Sequence, residues 1–109
     1  YCHKTTRLIS EKFKDVKIRT TFQSRFGPEQ WLKPYTDKTL ESLSAKGIKN
    51  LLVICPGFAS DCVETLEEIN ILGRETFLKN GGEKFDFIPC LNDSSEHIKL
   101  FENLVKKYL

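Results

Sequence analysis

Carboxylates crowd one stretch of the chain, Ser60-Asp61-Cys62-Val63-Glu64-Thr65-Leu66-Glu67-Glu68-Ile69. An α-helix turns about 100° per residue, so Asp61, Glu64, Glu68 and the later Glu75 fall within roughly 60° of one another. Leu66, Ile69 and Phe77 fall on the opposite side. Such a file of hard oxygen donors could pass a divalent cation or accept protons, and like-charge crowding would raise at least one pKa. The same residues admit a plainer reading. Asp61-x-x-Glu64 resembles a capping box, and acids suit the first turn of a helix. Spacing by itself favours that capped, solvated face.

Arg25 and Trp31 make a second group. Gln23-Ser24-Arg25 leads off a strand end into Gly27-Pro28-Glu29-Gln30-Trp31. Arg25 could grip a ligand carboxylate bidentately and Trp31 could wall a planar apolar ligand. A solvated loop Arg and a core Trp are the plain alternative. Cys62 would sit at a helix N-terminus, where the dipole favours a thiolate, but no base stands beside it. His3 and His97 lie on the first and last helices, without a His or Cys at metal spacing. The cysteines at 2, 55, 62 and 90 form no C-x-x-C pair, and all four read as reduced thiols. The chain has no G-x-G-x-x-G, Walker loop or G-x-S-x-G elbow, which removes the usual signatures of dinucleotide enzymes, nucleotidases and serine hydrolases.

The elements that must hold these groups alternate. Residues 1–13, with Leu8, Ile9 and Phe13, suit an amphipathic helix. Val16–Ser24 alternates with β-branched residues on one face and reads as a strand. Arg25–Tyr35 reads as a loop, and a helix follows from Thr36 or Asp37 through Leu40, Leu43 and Ala45 to Gly47. Asn50–Cys55 is an apolar run of the kind buried on both faces of a sheet. A long helix from Ser60 or Asp61 to about Lys79, a strand over Lys84–Cys90 and a final helix from Ser94 or Ser95 complete the order. The fold class is α/β, a parallel sheet of about three strands flanked by helices in three layers, one Rossmann-like half of a larger fold. Ligands bind such sheets beyond the carboxyl ends of the strands. Those ends are Gln23-Ser24-Arg25, Pro56 to Asp61, and Leu91-Asn92-Asp93.

The 109 residues make about one domain. With 17 Lys+Arg against 15 Asp+Glu the charge is balanced, so no nucleic-acid partner is expected. No apolar run approaches membrane-spanning length, and no secretory signal is read. A chain without Met that opens on Tyr1 is expected to be processed or part of something longer.

Thr21-Phe22-Gln23-Ser24-Arg25-Phe26-Gly27-Pro28-Glu29-Gln30-Trp31-Leu32-Lys33-Pro34-Tyr35-Thr36-Asp37 resembles a strand and loop of the ferrochelatases, which insert ferrous iron into protoporphyrin. Cys55-Pro56-Gly57-Phe58-Ala59-Ser60-Asp61-Cys62-Val63-Glu64-Thr65-Leu66-Glu67-Glu68-Ile69 resembles the metal-side motif of the bacterial form, and Phe87-Ile88-Pro89-Cys90-Leu91-Asn92 also fits. The resemblance covers essentially the whole chain and implies the C-terminal of two similar α/β halves. It implies Glu64 and Glu68 as the catalytic acidic line, Asp61 with Glu64 on the metal side, and Trp31 near the porphyrin; Arg25, read above as a carboxylate grip, is expected to bind the same substrate. Many members, the animal enzymes included, have His where this chain has Cys62. The family's key His lies in the N-terminal half, and neither His3 nor His97 matches its motif.

The resemblance further implies a metal-inserting lyase of heme and porphyrin biosynthesis, with ferrous iron as substrate and no permanently bound cofactor. The chain lacks the C-terminal cysteine spacing of cluster-bearing members, so no iron–sulfur cluster is expected. The cytoplasm is the expected location, with peripheral contact to the inner membrane. The chain alone is expected to have little or no activity. The competing readings are a non-catalytic binding or assembly module, for instance a homodimer, and a cobaltochelatase of the same superfamily.

Overall fold

The computed structural model describes residues 2–23 and 32–109. Helix α1 (Cys2–Ser10) is followed by an extended segment, then α2 (Thr36–Ser42) and a 3₁₀ turn (Ser44–Lys46). Strand β1 (Asn50–Ile54) leads to a π-helix (Glu64–Gly73) that runs directly into α3 (Arg74–Lys79). Strand β2 (Lys84–Ile88) and helix α4 (Ser95–Lys106) close the chain.

The two strands are parallel, with Leu51 opposite Phe85 and Val53 opposite Phe87. The α/β class follows directly, since a parallel pair requires a crossover and the π-helix and α3 supply it. Leu51, Val53, Phe85 and Phe87 face the core, where Leu40, Leu43, Cys55, Ile69 and Phe77 meet them. Leu52 and Ile54 remain 61% and 48% exposed, so β1 is covered on one face only and not on both as its apolar run suggests. Gly47 adopts φ 87 and ends the 3₁₀ turn, the left-handed stop that its sequence position predicts.

The expected strand over Val16–Ser24 does not form among the described residues, and Ser24 itself lies outside them. Phe22 makes a single parallel bridge to Tyr35, through Phe22 N to Pro34 O and Thr36 N to Phe22 O. The segment therefore pairs with the approach to α2 and not with β1, and the sheet has two strands where about three were expected. Val16 is 59% exposed, whereas Ile18, Thr20 and Phe22 are half-buried, so the alternating face is covered only in part and without strand pairing. Helix α1 stops at Ser10, short of Phe13, and buries none of its residues. His3 rests edge-on against Phe22.

A close backbone approach joins the crossover to β2. Phe77 is fully buried, and a Cβ on Gly82 would overlap its ring. Gly82→Ala must displace Phe77 and is expected to destabilise the chain by roughly 1–3 kcal/mol. Gly57→Ala meets open space and should change stability by less than about 0.5 kcal/mol. Denaturant unfolding of the two variants checks this, and equal small effects would contradict it.

Candidate active site

Burial along the crossover helix repeats every four residues. Thr65, Ile69, Gly73 and Phe77 are buried, while Val63, Glu67, Ile71 and Glu75 are exposed. An α-helix drifts about 40° with each step of four, so it could not keep such a stripe on the core over three steps. The i→i+5 winding of the π segment turns more slowly per residue and offsets the drift. Gly73 permits the fit, since a Cβ there would stand 3.1 Å from Leu40 Cδ1 and 3.4 Å from the Glu68 carbonyl.

The π winding corrects the helical grouping expected from an α-helix. Glu64 and Glu68 share a half-buried flank, whereas Glu75 belongs to the exposed file with Glu67. Leu66, expected on the core side with Ile69 and Phe77, is 46% exposed. Glu68 lines a cavity of about 450 Å³ together with Gln23, Tyr35, Leu40 and Thr76. On the other flank, Cys62, Val63, Leu66 and Leu72 line an open apolar hollow of about 440 Å³.

Three links hold the start of this helix. Gln23 Nε2 donates to the Glu64 carbonyl at 2.7 Å, and Gln23 Oε1 accepts from the Cys55 thiol. The segment that ends at Gln23 is thereby tied to the first π turn. Thr65 Oγ1 accepts from Cys62 N at 2.9 Å and donates to Asp61 Oδ1 at 2.8 Å. Asp61 Oδ2 accepts from Asn92 Nδ2 at 2.9 Å and Cys90 N at 3.2 Å. The capping box does not form. Asp61 turns to the β2–α4 loop, and no side chain caps the N-terminus of the π-helix.

These bonds decide the electrostatics. The Asn92 amide, with Thr65 and Cys90, holds the Asp61 carboxyl below the usual carboxylate range. The Cys62 thiol and its own backbone N–H hold Glu64 below it too. For these two groups, hydrogen bonding to the charged form outweighs the like-charge crowding expected to raise a pKa. Burial, with the nearby Cys90, pushes the Cys55 thiol up to about 11, and burial, with the Asp61 contact, does the same to Cys90. All four cysteines are free.

Glu64, Glu68 and Asp61 thus lie within one segment beyond the carboxyl end of β1, whereas Arg25 and Trp31 fall outside the described residues. Among the described residues, no three His, Cys, Asp or Glu side chains converge closely enough to hold a metal ion. Asn92 and the Gln23 bridge were not anticipated as site residues. Asn92 was legible only as part of a loop beyond a strand end. Arg74 gave no sequence signal either; its guanidinium donates to Phe85 O at 2.6 Å and to Asn70 Oδ1 at 2.7 Å, locking the crossover to β2.

A parallel α/β unit with half-buried carboxylates beyond its strand ends belongs to the class that handles ligands at that edge. A family model described as Ferrochelatase matches residues 1–109. A ferrochelatase of Agrobacterium fabrum is 56% identical over 113 residues, covering 100% of this chain and 33% of that protein. One from Marinobacter nauticus is 54% identical over 111 residues, covering 99% of this chain and 30% of that protein. One from Brucella ovis is 52% identical over 110 residues, with 99% and 31% covered. The chain belongs to the ferrochelatase family, and it spans about a third of the length of the curated relatives it matches.

The low Asp61 pKa makes a stability prediction. A carboxyl depressed in the folded state stabilises the fold above its unfolded value near ~4, and that contribution is lost as pH falls through the folded value. Asp61→Asn should therefore lower Tm at neutral pH, with the gap to the parent narrowing below about pH 4. Thermal melts across that range check it, and a gap that stays constant would contradict it.

Proposed function

We propose that this chain is the C-terminal part of an enzyme that inserts ferrous iron into protoporphyrin IX, forming heme as the terminal step of heme biosynthesis. The observation that carries the reading is the half-buried Glu64–Glu68 flank, with Glu68 opening into the cavity that Gln23 also lines. The chemistry asks for such a wall. The porphyrin loses two pyrrole protons as the dication enters, so net charge on the ring is conserved while two protons must leave. Glu64 and Glu68 accept them, and their negative charge lowers the cost of dehydrating the incoming metal. Straining the macrocycle to expose its nitrogen lone pairs belongs to the same step. Trp31 walls the planar ring and Arg25 holds a ring carboxylate. Glu64 is the residue nearest to a metal-side role; Asp61, implied there with it by the resemblance, has its carboxylate engaged by Thr65, Cys90 and Asn92.

The enzyme of this reading takes iron as substrate. It works in the cytoplasm, with an apolar lip in contact with the inner membrane. Exposed Val63, Leu66, Ile71 and Leu72 supply apolar surface of the kind that lip needs. No helix among the described residues is long and apolar enough to cross a membrane. The same exposed surface favours homodimers when the chain stands alone.

Glu64→Gln separates proton or metal handling from shape. In the full-length enzyme it should lower kcat by roughly 10²-fold or more, the range for a lost acid–base group. Glu67→Gln, on the exposed file, should stay within about twofold of the parent. Equal, small effects at both positions would remove Glu64 from the chemistry. The isolated chain should show little or no turnover with zinc and a soluble porphyrin, because most of the family's length is missing. Turnover close to that of the full-length enzyme would contradict this.

A further inference from the structure

We infer that Asp61 and Asn92 are a positioning pair that clasps the loop after β1 to the loop after β2 and so sets Glu64, and that the Asp61 carboxylate takes no metal or proton in the reaction. The inference rests on the chelatase reading for its kinetic test and on geometry alone for its structural one.

Both sides of the Asn92 amide engage Asp61. Asn92 Oδ1 accepts from Asp61 N at 2.8 Å, and Asn92 Nδ2 donates to Asp61 Oδ2 at 2.9 Å. Cys90 N and Thr65 Oγ1 add two further donors, so three of the roughly four lone-pair positions of the carboxylate are already filled by the protein. A cation or proton arriving at Asp61 finds a single position left and competes with charge-assisted bonds for the rest of the carboxylate.

Asn92 is itself held. It adopts φ 50, and no other non-glycine residue among those described has a positive φ. Asn tolerates that region better than other side chains. Its backbone N–H donates to Ala59 O at 3.0 Å, and its carbonyl meets Nδ1 of the buried His97. The link then runs inward. Asp61 orients Thr65, which is fully buried, and Thr65 holds the Cys62 N–H. Glu64 is the chain neighbour of Thr65, and Thr65 N and Leu66 N both donate to the Cys62 carbonyl, at 3.2 and 2.8 Å, so the turn that carries Glu64 is fixed with Thr65. A shift at Asn92 therefore reaches the glutamate that the chemistry needs.

The test uses the full-length protein and three sets of variants. Asp61→Asn sets an amide donor against an amide donor, and Asn92→Asp sets a carboxylate against a carboxylate. The double swap, Asp61→Asn with Asn92→Asp, restores a donor facing an acceptor but moves the charge to position 92. Each single change should lower kcat at least ~10-fold with KM for porphyrin within about threefold, and the swap should return to within about threefold of the parent. A swap no better than Asp61→Asn alone would show that the charge at position 61 is itself used, and would overturn the inference.

Asn92→Gly covers the case in which the charged variants do not fold, because glycine keeps the left-handed backbone and loses only the amide. It should speed amide exchange at residues 62–66 about 10-fold or more while leaving exchange in β1 and β2 unchanged. Unchanged exchange at residues 62–66 would also overturn the inference. A parent protein that inserts no metal would defeat the chelatase reading instead, and the exchange result would still judge the pair.

Discussion

Thr65, Ile69, Gly73 and Phe77 must all face the core while standing four residues apart. The rest of the structure follows from that constraint. An α-helix would carry the last of them about 120° away from the first. Winding Glu64–Gly73 as a π-helix keeps the stripe over Leu40, Phe85 and the inner face of β1. Gly73 allows the helix to approach Leu40, and Gly82 leaves room for Phe77. A π-helix is uncommon and is found most often at functional sites. Here the packing explains it, and the winding places Glu64 and Glu68 on one flank.

That flank carries Glu64 and Glu68, and its surroundings divide the labour between carboxylates of the same segment. Asp61 faces protein donors and is part of the scaffold. Glu68 lines the cavity, and Glu64 sits between, fixed at its carbonyl by Gln23. Three separate chain segments converge on one helical turn: the segment ending at Gln23, the loop after β1 and the loop after β2. A turn held this way costs little reorganisation when a charge arrives at a carboxylate it carries, which is what preorganised electrostatic catalysis asks for.

Much of this was legible in the sequence, for reasons that differ by element. The parallel α/β class and the crossover followed from alternation, and Gly47 followed from helix-stop chemistry. Two long motifs carried the family. The strand over Val16–Ser24 misled because alternation reports a face, not a partner, and Phe22 found its bridge at Tyr35. The both-faces reading of Asn50–Cys55 failed because Leu52 and Ile54 are exposed. Glu75 and Leu66 were misplaced by the 100° rule, which assumes α winding. The clue lay in the four-residue repeat of small and apolar residues from Thr65 to Phe77, read with the wrong period. The Asp61–Asn92 contact joins residues 31 positions apart, beyond the reach of local pattern.

The most direct measurement is a crystal structure of the full-length protein with a porphyrin and a divalent cation such as zinc, located by anomalous scattering. The account predicts the cation within coordination distance, about 2.0–2.6 Å, of a Glu64 or Glu68 oxygen on the side facing the porphyrin. It also predicts Asp61 still bonded to Asn92. A cation seated on Asp61 with the Asn92 contact broken, or one remote from both glutamates, would contradict it.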